Sequence, residues 1–153
     1  MRIWNTACLL LALANFATNA DWPHWRGPFQ NGTSLETGLV SEWTKGGQHQ
    51  LWRTDFIGRS TPIVLGDRVY AIGRTGKDIT EQEQISCFNA DTGQLLWEHK
   101  FNVFHTTIPF NRVGWASPVG DTETGNIYVH LSLIHISEPT RPRLISYAVF
   151  CLK

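Results

Sequence analysis

Ser60-Thr61-Pro62-Ile63-Val64, followed by Gly66-Asp67-Arg68-Val69-Tyr70-Ala71, returns as Ala116-Ser117-Pro118-Val119, followed by Thr124-Gly125-Asn126-Ile127-Tyr128-Val129. Each copy has a small residue and Pro opening a short apolar strand, a tight turn, and an alternating strand with Tyr near its centre. Gly-Asp and Gly-Asn between β-rich runs are hairpin signals, because these residues accept positive φ. Between the copies lies Cys87-Phe88-Asn89-Ala90-Asp91-Thr92-Gly93-Gln94-Leu95-Leu96-Trp97, which reads as strand, turn and strand. A period of about 40 to 50 residues with four short strands per unit is the signature of propeller blades. The predicted fold class is therefore all-β, a β-propeller of four-stranded antiparallel blades, of which about one and a half are present.

Predicted strands run over residues 50–56, 62–65, 68–73, 84–89 and 95–101, then 116–119 and 126–130. Residues 21–50 read as an irregular arm, punctuated by Pro23, Gly27, Pro28, Asn31-Gly32 and Gly38. Its apolar points, Trp22, Trp25, Leu39 and Trp43, are too widely spaced for a helix stripe and are expected to pin the arm to the blades. Composition agrees with β structure: seven Trp and eight Phe stand against one Met. Thirteen basic and thirteen acidic residues leave no net charge, so neither nucleic acid nor an anionic membrane is implied as partner.

The unit S-x-P-x-V, G-D-x-V-Y, then a turn closing with T-G-x-x-x-W resembles the pyrroloquinoline-quinone (PQQ) repeat of quinoprotein-like β-propellers. Asp21-Trp22-Pro23-His24-Trp25-Arg26-Gly27-Pro28 is similar to the start of the mature chain in secreted bacterial members. The resemblance covers Asp21 to about His130, so residues 51–130 are expected to be blades of a truncated, N-terminal piece. It implies that Trp52, Gly93 and Trp97 dock one blade on another. The family's docking turn carries Ala, Asp and Lys where Cys87, Asn89 and Gln94 stand here, so the hydrogen bond its Asp supplies is expected to be weaker or made differently.

Both ends of the chain stand apart. Residues 1–20 read as a signal peptide: Arg2 is the positive region, Ala7 to Ala14 the apolar run, and Thr18-Asn19-Ala20 suits cleavage after Ala20. A periplasmic or extracellular protein without a membrane span is expected. Residues 131–153 look like translated sequencing adapter, Leu131 to Arg141 matching a transposase-type adapter and Ile145 to Lys153 a flow-cell primer. With both ends set aside, Cys87 is the remaining cysteine and no intrachain disulfide is available.

An insertion at Asn102 to Trp115 gathers His105, Arg112 and Trp115 with Phe104 and Phe110, a candidate ligand loop at the rim of a propeller. Packing of the same loop onto the next blade is the competing reading. No His pair shows metal-ligand spacing, so no metal site is predicted. Catalytic and cofactor-binding residues are not legible. The expected function is a non-catalytic binding or scaffold module for a protein or saccharide partner. The alternative that the resemblance implies is the N-terminal part of a PQQ-dependent dehydrogenase, whose quinone and calcium would be held by residues from several blades.

Overall fold

A computed structural model describes residues 21–102 and 114–131, together with the backbone of residues 149–152. They form an antiparallel β structure in two sheets, with one short 3-10 turn at Asp78–Thr80. The first sheet holds β1 (Ile63–Leu65), β2 (Arg68–Thr75), β3 (Gln82–Asn89) and β4 (Leu95–Asn102), in sequential order. The second holds β5 (Val119–Gly120), β6 (Ile127–His130) and β7 (Val149–Leu152).

Gly66, at φ +56°, makes the tight turn that pairs Leu65 with Arg68. The resulting meander has two ends. Residues 66–67 and 90–94 turn at one; the start of β1, residues 76–81, the end of β4 and the approach to β5 lie at the other, here called the insertion end.

Register decides which side chains meet. Ile63 opposes Tyr70, Tyr70 opposes Cys87, Ile72 opposes Ile85, and Cys87 opposes Trp97, so these residues share one face of the first sheet. That face packs on Ile127 and Val129 of the second sheet and on Leu131 just after β6, and the combined cluster is almost completely buried. Leu65, Trp97, Phe101 and Ala116 border it. Gly120 sits where a β-carbon would come within 2.5 Å of Leu65 Cδ1, so a residue without a side chain lets β5 approach β1.

The opposite face of the first sheet is covered by a single extended strap rather than by a sheet. Phe88 meets the rings of Trp52 and Phe56 with centroids 6.2 and 5.9 Å away, and the Arg74 amide donates to the Ile57 carbonyl at 2.8 Å. A β-carbon on Gly73 would lie 2.6 Å from Phe56 Cζ, so Gly73 is what admits the strap.

Three expectations are corrected. Residues 50–56 are extended but belong to no ladder: their β-forming pattern is present and a partner strand is not. The second hairpin is not a two-residue turn. Gly120 pairs with Ile127, leaving the six residues 121–126 in a loop organised by Asp121. The arm is not pinned along its length: Trp22 bridges to Val64, whereas Trp25, Leu39 and Trp43 are 60 to 66 % exposed. The third strand of the second sheet, β7, lies inside the stretch read above as translated adapter. Backbone pairing along β6 asks only for an extended, apolar partner.

Replacing Ile72, fully buried between the sheets, by Ala should destabilise the protein by about 2 to 5 kcal/mol. Leu39→Ala, at an exposed arm position, should change stability by less than about 0.5 kcal/mol. Urea denaturation of the two variants side by side checks both values.

Candidate functional site

Two places bring the sequence-predicted residues together. At the turn end, Asn89 closes the β3–β4 connection: its Oδ1 accepts from the Asp91 amide at 3.1 Å and from the Thr92 amide and hydroxyl at 2.9 Å each. An amide side chain thus does what a carboxylate does in an Asx turn. Asp121 builds a close copy in the second sheet, accepting from the Glu123 amide at 2.9 Å and the Thr124 hydroxyl at 2.6 Å. The Thr124 hydroxyl is the leading cause that holds the Asp121 carboxyl below the usual carboxylate range. Both turns end in a glycine of positive φ, Gly93 at +69° and Gly125 at +71°.

The first of these turns receives Trp52. The indole lies flat against Gly93, where a β-carbon would fall 2.5 Å from Trp52 Cδ2, and its Nε1–H donates to the Ala90 carbonyl at 2.6 Å. Gly93 therefore serves twice, by accepting a left-handed backbone and by leaving room for the ring. Trp97 occupies a different setting on β4. It is half-buried beside Tyr70, with ring centroids 5.9 Å apart, on the face turned to the second sheet.

Behind Tyr70, the Cys87 thiol is buried, and burial pushes its pKa up, as burial does for the Tyr70 hydroxyl. A thiol kept neutral in this way is a packing group rather than a nucleophile.

At the insertion end a polar cluster appears that the sequence reading missed. Glu83 is 2 % exposed and accepts the Gly114 amide on Oε1 at 2.9 Å. Glu81, 5 % exposed, faces Arg74 at 3.7 Å. The period-two run Glu81, Glu83, Ile85, Cys87 was the available signal, because it puts both carboxylates on the face of two core residues.

Beside them Trp115 is 51 % exposed, with the Arg59 guanidinium 5.5 Å above its ring. The Ser117 hydroxyl accepts the Thr61 amide at 3.0 Å and so ties the Thr61-Pro62 and Ser117-Pro118 strand openings together. His105 and Arg112 lie outside the described residues.

Among the described residues no group of three or more His, Cys, Asp or Glu side chains could hold a metal ion. Nor is any helix there long and apolar enough to cross a membrane. No family model, curated protein or solved structure matches this chain.

A double-mutant cycle tests the Trp52–Gly93 contact. Gly93→Ala should destabilise by about 1 to 3 kcal/mol, from backbone strain and overpacking together. In a Trp52→Ala background the overpacking part should vanish, giving a coupling above about 0.5 kcal/mol by chemical denaturation. Additive losses would show that the ring and the glycine do not depend on one another.

Proposed function

We propose that the protein is an exported β-propeller repeat protein of PQQ-like type, acting as a non-catalytic binding or scaffold module. The repeat at residues 60–71 and 116–129 and the docking of Trp52 on Gly93 support the blade reading. Export rests on residues 1–20, with cleavage after Ala20 placing the mature start at Asp21 and the protein in the periplasm or outside the cell.

The observation that carries the binding reading is the exposed ring of Trp115. It stands at the insertion end, where β4 gives way to the approach to β5, and Arg59 braces one of its faces. A flat, half-solvated indole can stack on the C–H face of a saccharide ring or take an apolar side chain of a protein partner, and both uses favour an aromatic at low entropic cost. The buried Glu83 carboxylate holds the Gly114 amide next to it, which fixes where the ring stands.

The dehydrogenase alternative requires acidic and amide oxygens converging on a calcium ion beneath the quinone. Glu81 and Glu83 turn inward, toward Arg74 and Gly114.

A panel of soluble oligosaccharides and exported proteins, screened by surface plasmon resonance, tests the proposal. Trp115→Ala should weaken the best binder at least about tenfold, equivalent to about 1.4 kcal/mol. A Trp115→Ala protein that binds every member of the panel as the parent does would remove this surface from the function. Quinone-dependent dye reduction after loading with PQQ and calcium would favour the enzyme instead.

A further inference from the structure

Asp21, Trp22 and Pro23 are each tied to the sheets by hydrogen bonds of their own. The Gly66 amide, in the β1–β2 turn, donates to Asp21 Oδ1 at 2.7 Å. Trp22 exchanges two backbone hydrogen bonds with Val64 of β1, at 2.9 and 3.0 Å. The Gly120 amide of β5 donates to the Pro23 carbonyl at 2.8 Å, and Pro23 is buried. Three consecutive residues thus reach from the first sheet to the second. The Trp22 indole also fills the space over Gly27, where a β-carbon would come within 2.6 Å of the ring.

The place where Asp21 is held is acidic. An open cleft of about 450 Å³ is shared by Asp21, His24 and Tyr128 with Asp121 and Glu123 of the 121–126 loop. An adjoining cleft of about 260 Å³ brings Asp21 together with Asp67, Arg68 and Tyr70 of the first sheet, and again with Asp121. Asp67 faces Arg68 at 3.7 Å, and Glu123 is exposed. Asp121 is half-buried, meets Asp21 in both clefts and follows Gly120, whose amide already holds Pro23. Its carboxylate accepts the Glu123 amide and the Thr124 hydroxyl and amide, which leaves room among its roughly four lone-pair positions for a further donor. The Thr124 hydroxyl, first among the groups that keep this carboxyl below the usual range, keeps it ionised wherever an amine titrates.

We propose that the first residues of the processed chain form a clasp between the two sheets, completed when signal-peptide removal turns the Asp21 amide into an α-ammonium that pairs with the Asp121 carboxylate. This rests on the export reading above, in which hydrolysis of the Ala20–Asp21 bond leaves Ala20 as a carboxylate and Asp21 as the new N-terminus. In the precursor the same nitrogen is a neutral amide, so the pair exists only after processing. The clasp thereby links maturation to the packing of the sheets. A paired ammonium titrates above an unpaired one. Its contribution to stability is complete below the ordinary α-amino pKa and is lost as pH rises through the raised value.

Nitrogen-15 NMR titration of the Asp21 α-amino group, on the mature protein expressed from the genomic locus, tests the pair. The folded protein should titrate above about 8.5, against about 7.7 to 8.0 for an ordinary α-amino group, and urea should return the value to the ordinary range. Asp121→Asn should remove most of the rise, and the variant keeps its turn because Asn89 makes the same turn with an amide. A form that retains Ala20 as its first residue carries the ammonium about 3.8 Å further out and should lose the rise with Asp121 untouched. A folded value equal to that in urea would overturn the ion pair, and a rise that survives either variant would overturn the partner assigned to it. A mature chain that starts elsewhere than Asp21 would sink the cleavage reading, and the proposal with it.

Discussion

Face-to-face contact between the two sheets is the constraint on which the rest depends. Ile63, Ile72, Ile85 and Cys87 have no other place to bury their side chains, and neither do Ile127, Val129 and Leu131. Either sheet alone would leave a continuous apolar face in water. Together they remove almost all of it, each branched side chain contributing about 1.5 to 3 kcal/mol of transfer free energy. The inward carboxylates, the Gly120 approach and the Ser117–Thr61 hydrogen bond are consequences of that contact, since each sits at its border.

The same logic gives the first sheet two different covers. One is a sheet; the other is a strap that reaches across with two aromatic rings and one backbone hydrogen bond. Gly73 and Gly93 are where side chains were given up so that the strap could come close. The loop surface proposed around Trp115 is then a product of the architecture. It lies at the end of the sheets where connections enter and leave, while the core fixes the backbone beneath it.

Much of the first sheet was legible in the residues. Alternation over Arg68–Thr75 and Gln82–Asn89, the Gly66-Asp67 turn and the Thr92-Gly93 turn locate four strands to within two residues, because each of those signals acts locally. What was hidden depended on partners. Residues 50–56 have the composition of a strand, yet a ladder needs a second strand that composition cannot supply. The six-residue loop 121–126 was obscured because Gly125-Asn126 resembles a tight turn, while Asp121 captures the Thr124 hydroxyl and the Glu123 amide first. Glu81 and Glu83 were not singled out, although their period placed them on the face of Ile85 and Cys87. Trp115 was named from its place in the insertion, and its exposure and its contact with Arg59 emerge only from the fold.

The central claim is that the two sheets share one core. A double-mutant cycle across them tests it most directly, using Ile85→Val in the first sheet and Val129→Ala in the second, with stability read from urea titrations at equilibrium. Both residues are fully buried in the common cluster. A coupling between about 0.5 and 3 kcal/mol is predicted, as for residues that share a packed site. Losses that add to within about 0.3 kcal/mol would mean that the sheets are independent, and the account of packing, strap and loop surface built on their contact would be wrong.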